Sequence, residues 1–432
     1  MLTSARQLGW VSATALVVAN MIGTGVFTTS GFLLKDLGSP WAVLAVWAGG
    51  GFLAALGALC YGALARRIPE SGGEYLFLSK TLHPAAGYVA GWISLFVGFS
   101  APLAAVAYGF GQYAKPWLGG IDAKLSGSIL LVLFAFVHAA DVRRGAWLQN
   151  WIVAVKLVLL FGFVALAVDR IDALPAVNRG SATVPAFAVS LVWVSFSYAG
   201  WNAAVYLGGE VRDAERTLPL AMLLGTAIVT ALYLALNAVF VFSTAPEKLA
   251  GQLEVGRIAA EALGGVRLAN VVTAVVLLAL ATSASSLIMA GPRVYACMGA
   301  DGYLPRFLAE AAGPPRAAIG LQVLLALLLL WSSTYERLLT YIGFTLSLST
   351  AATVLGLVRL RMREGAAVRV VGWPWLPGLF IAAVLAIAGF TMIRQPIASG
   401  LGLLTLAAGW LAWWFSPVTV VRPTDGDGFN PV

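Results

Sequence analysis

Charge is scarce in this chain. Asp, Glu, Lys and Arg make up 11% of its 432 residues, against about 25% in an ordinary soluble domain. A water-soluble globule is thereby excluded. Cysteine and histidine are scarcer still. Cys60 and Cys297 lie in or at the edge of apolar stretches and have no metal-ligand spacing, so they imply neither a disulfide framework nor a zinc site. His83 and His138 are far apart and read as structural histidines. Apart from Asp141 at a cytoplasmic edge, the mid-span segments hold no Asp or Glu. That leaves no constellation for an enzyme and no acidic ring for a cation channel. No metal or cofactor is called for, and no large soluble domain accompanies the apolar part.

What the chain does have is hydrophobic length. Its hydrophobic share is 60% and its mean hydropathy is +0.88. Stretches of about 20 apolar residues, enough to cross a bilayer core of about 30 Å, recur from end to end. The expected spans are 8–34, 41–65, 85–114, 126–140, 146–168, 184–208, 219–243, 268–292, 317–333, 336–358, 376–393 and 398–416. The first lacks a compact signal-peptide pattern and reads as retained. The tail, 417–432, is expected to be cytoplasmic and disordered.

The net charge of +8 fits loop cations better than nucleic-acid binding. With the N-terminus inside, sixteen lysines and arginines fall in cytoplasmic segments and ten in outer loops. The bias is sharpest at Arg66-Arg67, Arg143-Arg144 and Arg359/Arg361/Arg363, beside helix ends, where orientation is set. Both termini are therefore expected in the cytoplasm.

Two spans are interrupted. Residues 20–27 read Asn-Met-Ile-Gly-Thr-Gly-Val-Phe. Each glycine costs about 1 kcal/mol relative to alanine inside a helix. Backbone loosened at membrane depth must find polar partners or line a cavity. Residues 195–202, Ser-Phe-Ser-Tyr-Ala-Gly-Trp-Asn, interrupt span six in the same way. A single break can simply allow close helix packing. Two breaks, five spans apart, point to an inverted-repeat secondary transporter. The repeats would be 1–168 (spans one to five) and 184–358 (spans six to ten), with spans eleven and twelve at 376–416.

Several motifs carry a family resemblance across spans one to ten. They are Met21-Ile-Gly-Thr-Gly-Val-Phe27, Pro69-Glu-Ser-Gly-Gly-Glu-Tyr75, Phe196-Ser-Tyr-Ala-Gly-Trp-Asn202 with Gly209-Glu-Val-Arg-Asp213 and Leu218-Pro219, and Gly302-Tyr-Leu-Pro305. Their order and placement resemble the amino acid–polyamine–organocation (APC) superfamily of permeases, close to the L-type amino acid transporter branch. The resemblance implies an all-α integral membrane protein of LeuT type, with five-plus-five inverted helices and twelve spans.

An amino acid zwitterion carries opposite charges a few ångströms apart. A broken helix meets both without a charged side chain. Carbonyls near 19–22 suit the ammonium, and amides near Thr24–Val26 suit the carboxylate. The resemblance assigns the carboxylate to amides at Gly23, Thr24 and Gly25. It assigns the amine to carbonyls around Met21, Ile22, Phe196 and Ser197, and makes Phe196 an outer gate. Asn202 stands where some relatives place a glutamate linked to acid-dependent exchange, which argues against that role here. Asn20, Ser197, Tyr198 and Asn202 are further candidates for the pocket.

Lys156 lies about 15 Å along span five, too deep for its stem to reach an interface. Intramembrane charge of this kind marks function by default. In the family resemblance, a span-five lysine replaces the sodium ion of sodium-coupled relatives. Ser283, Ser285 and Ser286 of span eight, with backbone near Gly23, are its expected partners. Transport is therefore expected to be sodium-independent. Proton symport and exchange both stay open.

Residues 66–84 resemble an amphipathic inner-vestibule helix, with Glu70 and Glu74 expected to pair with Arg66 or Arg67. Residues 245–267 are expected to form a helical outer lid. The absence of mid-span carboxylates favours a neutral amino acid over a cationic amino acid or polyamine. A non-transporting sensor on the same fold is the remaining alternative. The partners expected are the amino acid and membrane lipid. Nucleic acid is not expected, and a protein partner is left open. The expected location is a plasma membrane, as in a bacterial inner membrane.

Overall fold

Local chemistry starts and stops the helices. Residues 8–140, 145–168, 183–300, 304–309 and 314–416 are described in a computed structural model. The expectations placed on Asp141, Arg143, Arg144, Gly302, Tyr303 and the tail 417–432 lie outside the described residues, as does the side chain of Cys297.

The first interrupted stretch becomes three helices, α1 (Trp10–Met21), α2 (Gly25–Thr28) and α3 (Ser30–Leu37). Gly38, in the left-handed region at φ 64°, ends α3. Ser39 then caps α4 (Pro40–Arg67) through the Ala42 amide, with Pro40 at the first helical position. A short helix, α5 (Gly73–Thr81), follows. His83 caps α6 (Pro84–Ile93), which passes through a π-helical turn, Ser94–Ser100, into α7 (Ala101–Ala114). Next come α8 (Ala123–Ala140) and α9 (Gly145–Val168).

The second half opens with α10 (Val184–Tyr198), capped by Thr183. A 3-10 segment, Ala203–Glu210, leads to α11 (Ala214–Phe242). Then follow α12 (Pro246–Leu249), α13 (Val255–Ala300), α14 (Arg316–Ser332), α15 (Tyr335–Glu364), α16 (Trp375–Arg394) and α17 (Pro396–Phe415). The segment 245–267 is helical in two pieces. It is the short α12, a turn, and the first part of α13, which breaks at Gly264–Gly265 where the backbone leaves helical geometry.

Among the described residues, nine helices are long and apolar enough to cross a membrane, and three shorter apolar helices accompany them. The expected stretch 8–34 is divided among α1, α2 and α3, 85–114 runs through α6, the π-helical turn and α7, and 184–208 is α10 followed by the 3-10 segment. The helices sort into two groups. One is α1, α4, α10 and α11, and the other is α7, α8, α13 and α14. Glycines let the first group close up. A Cβ on Gly50 would sit 2.5 Å from Val194 of α10, and one on Gly51 would sit 2.4 Å from Thr230 of α11. α15 packs against α10, α5, α16 and α17, and α9 against α13 and α11.

Candidate substrate site

The two breaks lie against each other. α1 ends at Met21, and Ile22 leaves helical geometry at ψ 81°. α10 ends at Tyr198, and Gly200 turns the chain at φ +103°. A Cβ on Gly200 would sit 2.8 Å from the Asn20 carbonyl, so both the turn and the close approach require glycine there. A Cβ on Gly25 would fall 2.1 Å from Ser197 Oγ. Spans one and six therefore touch through their main chains at the points where each is unwound.

The break leaves backbone groups without backbone partners. Among the described residues, the amides of Thr24, Gly25 and Val26 donate to no backbone carbonyl, and no backbone amide reaches the carbonyls of Ala19 and Asn20. Thr24 Oγ1 is buried and also unpartnered. Unpaired carbonyls thus end one half-helix, and unpaired amides begin the next.

The distribution differs in detail from the sequence expectation. The Gly23 amide turns back to the Met21 carbonyl at 2.9 Å, which shifts the free donors to Thr24, Gly25 and Val26. The Met21 and Ser197 carbonyls both accept from the Tyr233 hydroxyl, at 2.5 and 3.1 Å. The Ile22 carbonyl accepts from Lys156, and that of Phe196 from the Ala199 amide. The Met21 carbonyl thus accepts twice, those of Ile22, Phe196 and Ser197 keep a second lone pair, and Ala19 and Asn20 are wholly free of backbone donors.

Side chains sort by direction. Phe196 is buried beside the break. Ser197 Oγ is 3.3 Å from Thr29 Oγ1, beyond the break and between α2 and α3. Tyr198 points away, and its hydroxyl donates to the Trp47 carbonyl on α4 at 3.0 Å. Asn202 also turns from the break, donating through Nδ2 to Glu74 Oε1 at 3.0 Å.

Lys156, 2% exposed, donates to the Ile22 carbonyl at 2.8 Å. Ser283 lines the same region, its Oγ 4.0 Å from where a Gly23 Cβ would stand. Ser285 shares a hydrogen bond with His138 Nε2 at 2.9 Å. Ser286 donates to the Thr282 carbonyl. The main-chain partner expected for Lys156 is thus one residue from Gly23, and Ser285 is engaged by a histidine on α8.

The end of the site toward α2 and α3 is closely packed. Residues 24–34 are all buried. The Tyr113 hydroxyl donates to the Phe27 carbonyl at 2.8 Å, Thr28 and Tyr335 hydroxyls lie 2.5 Å apart, and the Gly251 amide reaches the Gly31 carbonyl at 2.7 Å. On the α1 side of the break Asn20 is exposed.

The expected loop pairing does not form. Arg67 bonds Glu364 at 2.6 Å, and Glu70 bonds Lys80. Glu74, 8% exposed, is turned inward instead, because α5 presents it to the helix bundle rather than to the end of α4. Its carboxyl accepts from Tyr61 at 2.8 Å and Asn202 at 3.0 Å on Oε1, and from Ser349 at 2.7 Å on Oε2. Burial raises its pKa, an effect these three donors partly offset.

The sequence profile of the amino acid permease family matches residues 8–420. The chain is 27% identical to the human (Homo sapiens) large neutral amino acids transporter small subunit 2, over 94% of its own length and 79% of that protein. It is 26% identical to the Asc-type amino acid transporter 1 of Mus musculus, over 94% and 80% of the two chains. It is 29% identical to the b(0,+)-type amino acid transporter 1 of Rattus norvegicus, over 91% and 83%. Abutting helix breaks, a buried span-five lysine and a profile match over nearly the whole length lead to one assignment: the chain is an integral membrane protein of the amino acid permease family.

Proposed function

We propose that this permease is a sodium-independent secondary active transporter of neutral L-amino acids, working by alternating access as a proton symporter or an exchanger. The observation that carries the reading is the pair of abutting breaks. Free amides at Thr24, Gly25 and Val26 face a carboxylate, and free carbonyls at Ala19 and Asn20 face an ammonium. The grouping of α1, α4, α10 and α11 against α7, α8, α13 and α14 supports a LeuT-type pair of five-helix repeats, 1–168 and 184–358. Twelve spans, cytoplasmic termini and a bacterial inner membrane complete the proposal.

Lys156 supports sodium independence. Its ammonium at the Ile22 carbonyl is a fixed positive charge beside the break, in the place of a bound metal cation. Phe196 closes the outer side over substrate in this scheme. The human relative is a large neutral amino acids transporter subunit by name, which fits the absence of a carboxylate among the free groups of the break.

A second reading is a carrier of cationic amino acids or polyamines. One observation favours it: Glu74 is a buried carboxylate only one hydrogen bond from Asn202 at the end of the span-six break. The words "small subunit" in one relative's name extend to this chain as the proposal that a second subunit assembles with it.

The test is a thermal-shift screen of the twenty amino acids and putrescine on purified protein. Uptake in proteoliposomes follows, with and without sodium, a pH gradient and internal amino acid. Stabilisation by neutral amino acids and uptake without sodium are expected. A strict sodium requirement, or stabilisation by no amino acid, would overturn the reading.

A further inference from the structure

We propose that Glu74 is a proton-binding site that latches the span-six break to the inner loop helix, firmly when ionised and weakly when protonated. This rests on the transporter reading, since it gives the proton a conformational task in that cycle.

The placement comes first. Glu74 belongs to α5, which packs against α6 and α15. Two of its hydrogen-bond partners come from the group of α1, α4, α10 and α11, to which α5 does not belong: Tyr61 on α4 and Asn202 just after α10, at the end of the span-six break. Its third partner is Ser349 on α15. One carboxyl group therefore joins three helices and an unwound segment at a single point. Alternating access moves the group that contains spans one and six against its surroundings. A bond from α5 to Asn202 spans that boundary and must be remade in each cycle.

The chemistry follows from the donors. All three partners donate to the carboxyl, which is the pattern of an ionised carboxylate. Oε1 takes two of the bonds and Oε2 one, so Oε2 is the more accessible seat for a proton. A proton arriving from water at the inner face binds Oε2. Oε2–H then donates to Ser349 Oγ, and the serine hydroxyl proton turns to another acceptor. Oε1 becomes a neutral carbonyl oxygen. Its bonds from Tyr61 and Asn202 lose their charge assistance, which is about half their strength. The Asn202 amide cannot reverse to follow the change.

Among the described residues, the cations nearest in sequence or packing to this carboxyl are engaged elsewhere. On α5 itself, Lys80 is taken by Glu70. At the end of α4, Arg67 is taken by Glu364. From α15, Arg359 reaches the Leu82 carbonyl. From the start of α6, His83 caps its own helix and lies against Trp413. The 3-10 segment brings the Tyr206 ring against Gly73 beside it, and a phenol carries no positive charge. Among the described residues no lysine or arginine forms an ion pair with Glu74. Burial without a counter-charge raises the carboxyl's affinity for a proton.

The test uses the full-length protein in proteoliposomes, with infrared difference spectra taken from about pH 5 to about pH 8. A protonated buried carboxyl gives a C=O band that titrates. The band is expected in wild type, absent in Glu74→Gln and displaced in Glu74→Asp. In the same vesicles, radiolabelled L-leucine uptake is expected to vary severalfold across this range in wild type. It should be flat in Glu74→Gln and pH-dependent again in Glu74→Asp. An unchanged band in both variants, or a wild-type pH profile in Glu74→Gln, overturns the proposal. If Glu74→Gln does not fold, the displaced band in Glu74→Asp decides the assignment. Should no amino acid be transported while the titrating band still depends on Glu74, the transport reading fails and the proton site stands.

Discussion

The ammonium of Lys156 and the carbonyl of Ile22 are 2.8 Å apart, so a charge on span five is fixed to the unwound backbone of span one. The bond is charge-assisted and buried, and such bonds contribute more than neutral ones. Removing it frees the last carbonyl before Gly23 and deletes the positive charge beside the break. Lys156→Ala is therefore expected to lower amino acid uptake by about tenfold or more. Adding sodium is not expected to restore it fully, since a fixed ammonium and a hydrated ion differ in geometry. Proteoliposome uptake by the variant, with and without sodium, checks this. Wild-type rates in Lys156→Ala would remove the lysine from the mechanism.

Gly200 permits a sharper test of the contact between the breaks. Its φ of +103° excludes ordinary side chains, and the Asn20 carbonyl occupies the space a Cβ would need. Gly200→Ala is expected to destabilise the protein by about 1–3 kcal/mol. A lower thermal midpoint should be seen, together with loss of amino acid stabilisation, because the Asn20 carbonyl belongs to the ammonium side of the proposed site. A midpoint equal to wild type would show that the backbone there yields easily.

Tyr233 ties the same two breaks together from span seven. Its hydroxyl reaches both the Met21 and Ser197 carbonyls. Tyr233→Phe keeps the ring packing and removes only these bonds, a loss of about 1–2 kcal/mol. Two carbonyls then gain freedom beside the site. The expected result is a higher KM with a smaller change in maximal rate, read from initial uptake rates of L-leucine.

The legible part of the fold followed from features that stand out against a hydrophobic background. Glycine pairs at mid-span are costly in a helix, so Gly23, Gly25 and Gly200 mark the breaks without any structure. Lys156 stands out because charge is scarce at membrane depth. Tyr233 did not, as one of 12 tyrosines with nothing local to distinguish its hydroxyl. Tyr198 and Asn202 were assigned to the pocket by proximity in sequence. Their directions depend on how the chain turns at Ala199 and Gly200, which sends one toward Trp47 and the other toward Glu74. Glu74 itself reads as part of a polar loop beside two arginines. Its partners come from residues 61, 202 and 349, and only the folded packing of α5 brings them together.

Glu74 also sets a pH dependence of stability whose direction follows from its burial. Its pKa is higher in the folded protein than in the unfolded chain. At a pH below the unfolded value both states hold the proton, and the group adds no difference. As pH rises above that value, the unfolded chain ionises first. Folding then loses stability until the folded pKa is passed, and the loss is constant beyond it. Glu74→Gln removes this dependence, and its amide still accepts through oxygen. The difference in thermal midpoint between Glu74→Gln and wild type is therefore expected to grow in favour of the variant as pH rises out of the carboxylate range. Differential scanning fluorimetry of both proteins in one detergent at matched ionic strength measures it. A difference that shrinks with rising pH would mean that the three donors outweigh burial, and that Glu74 is held ionised throughout.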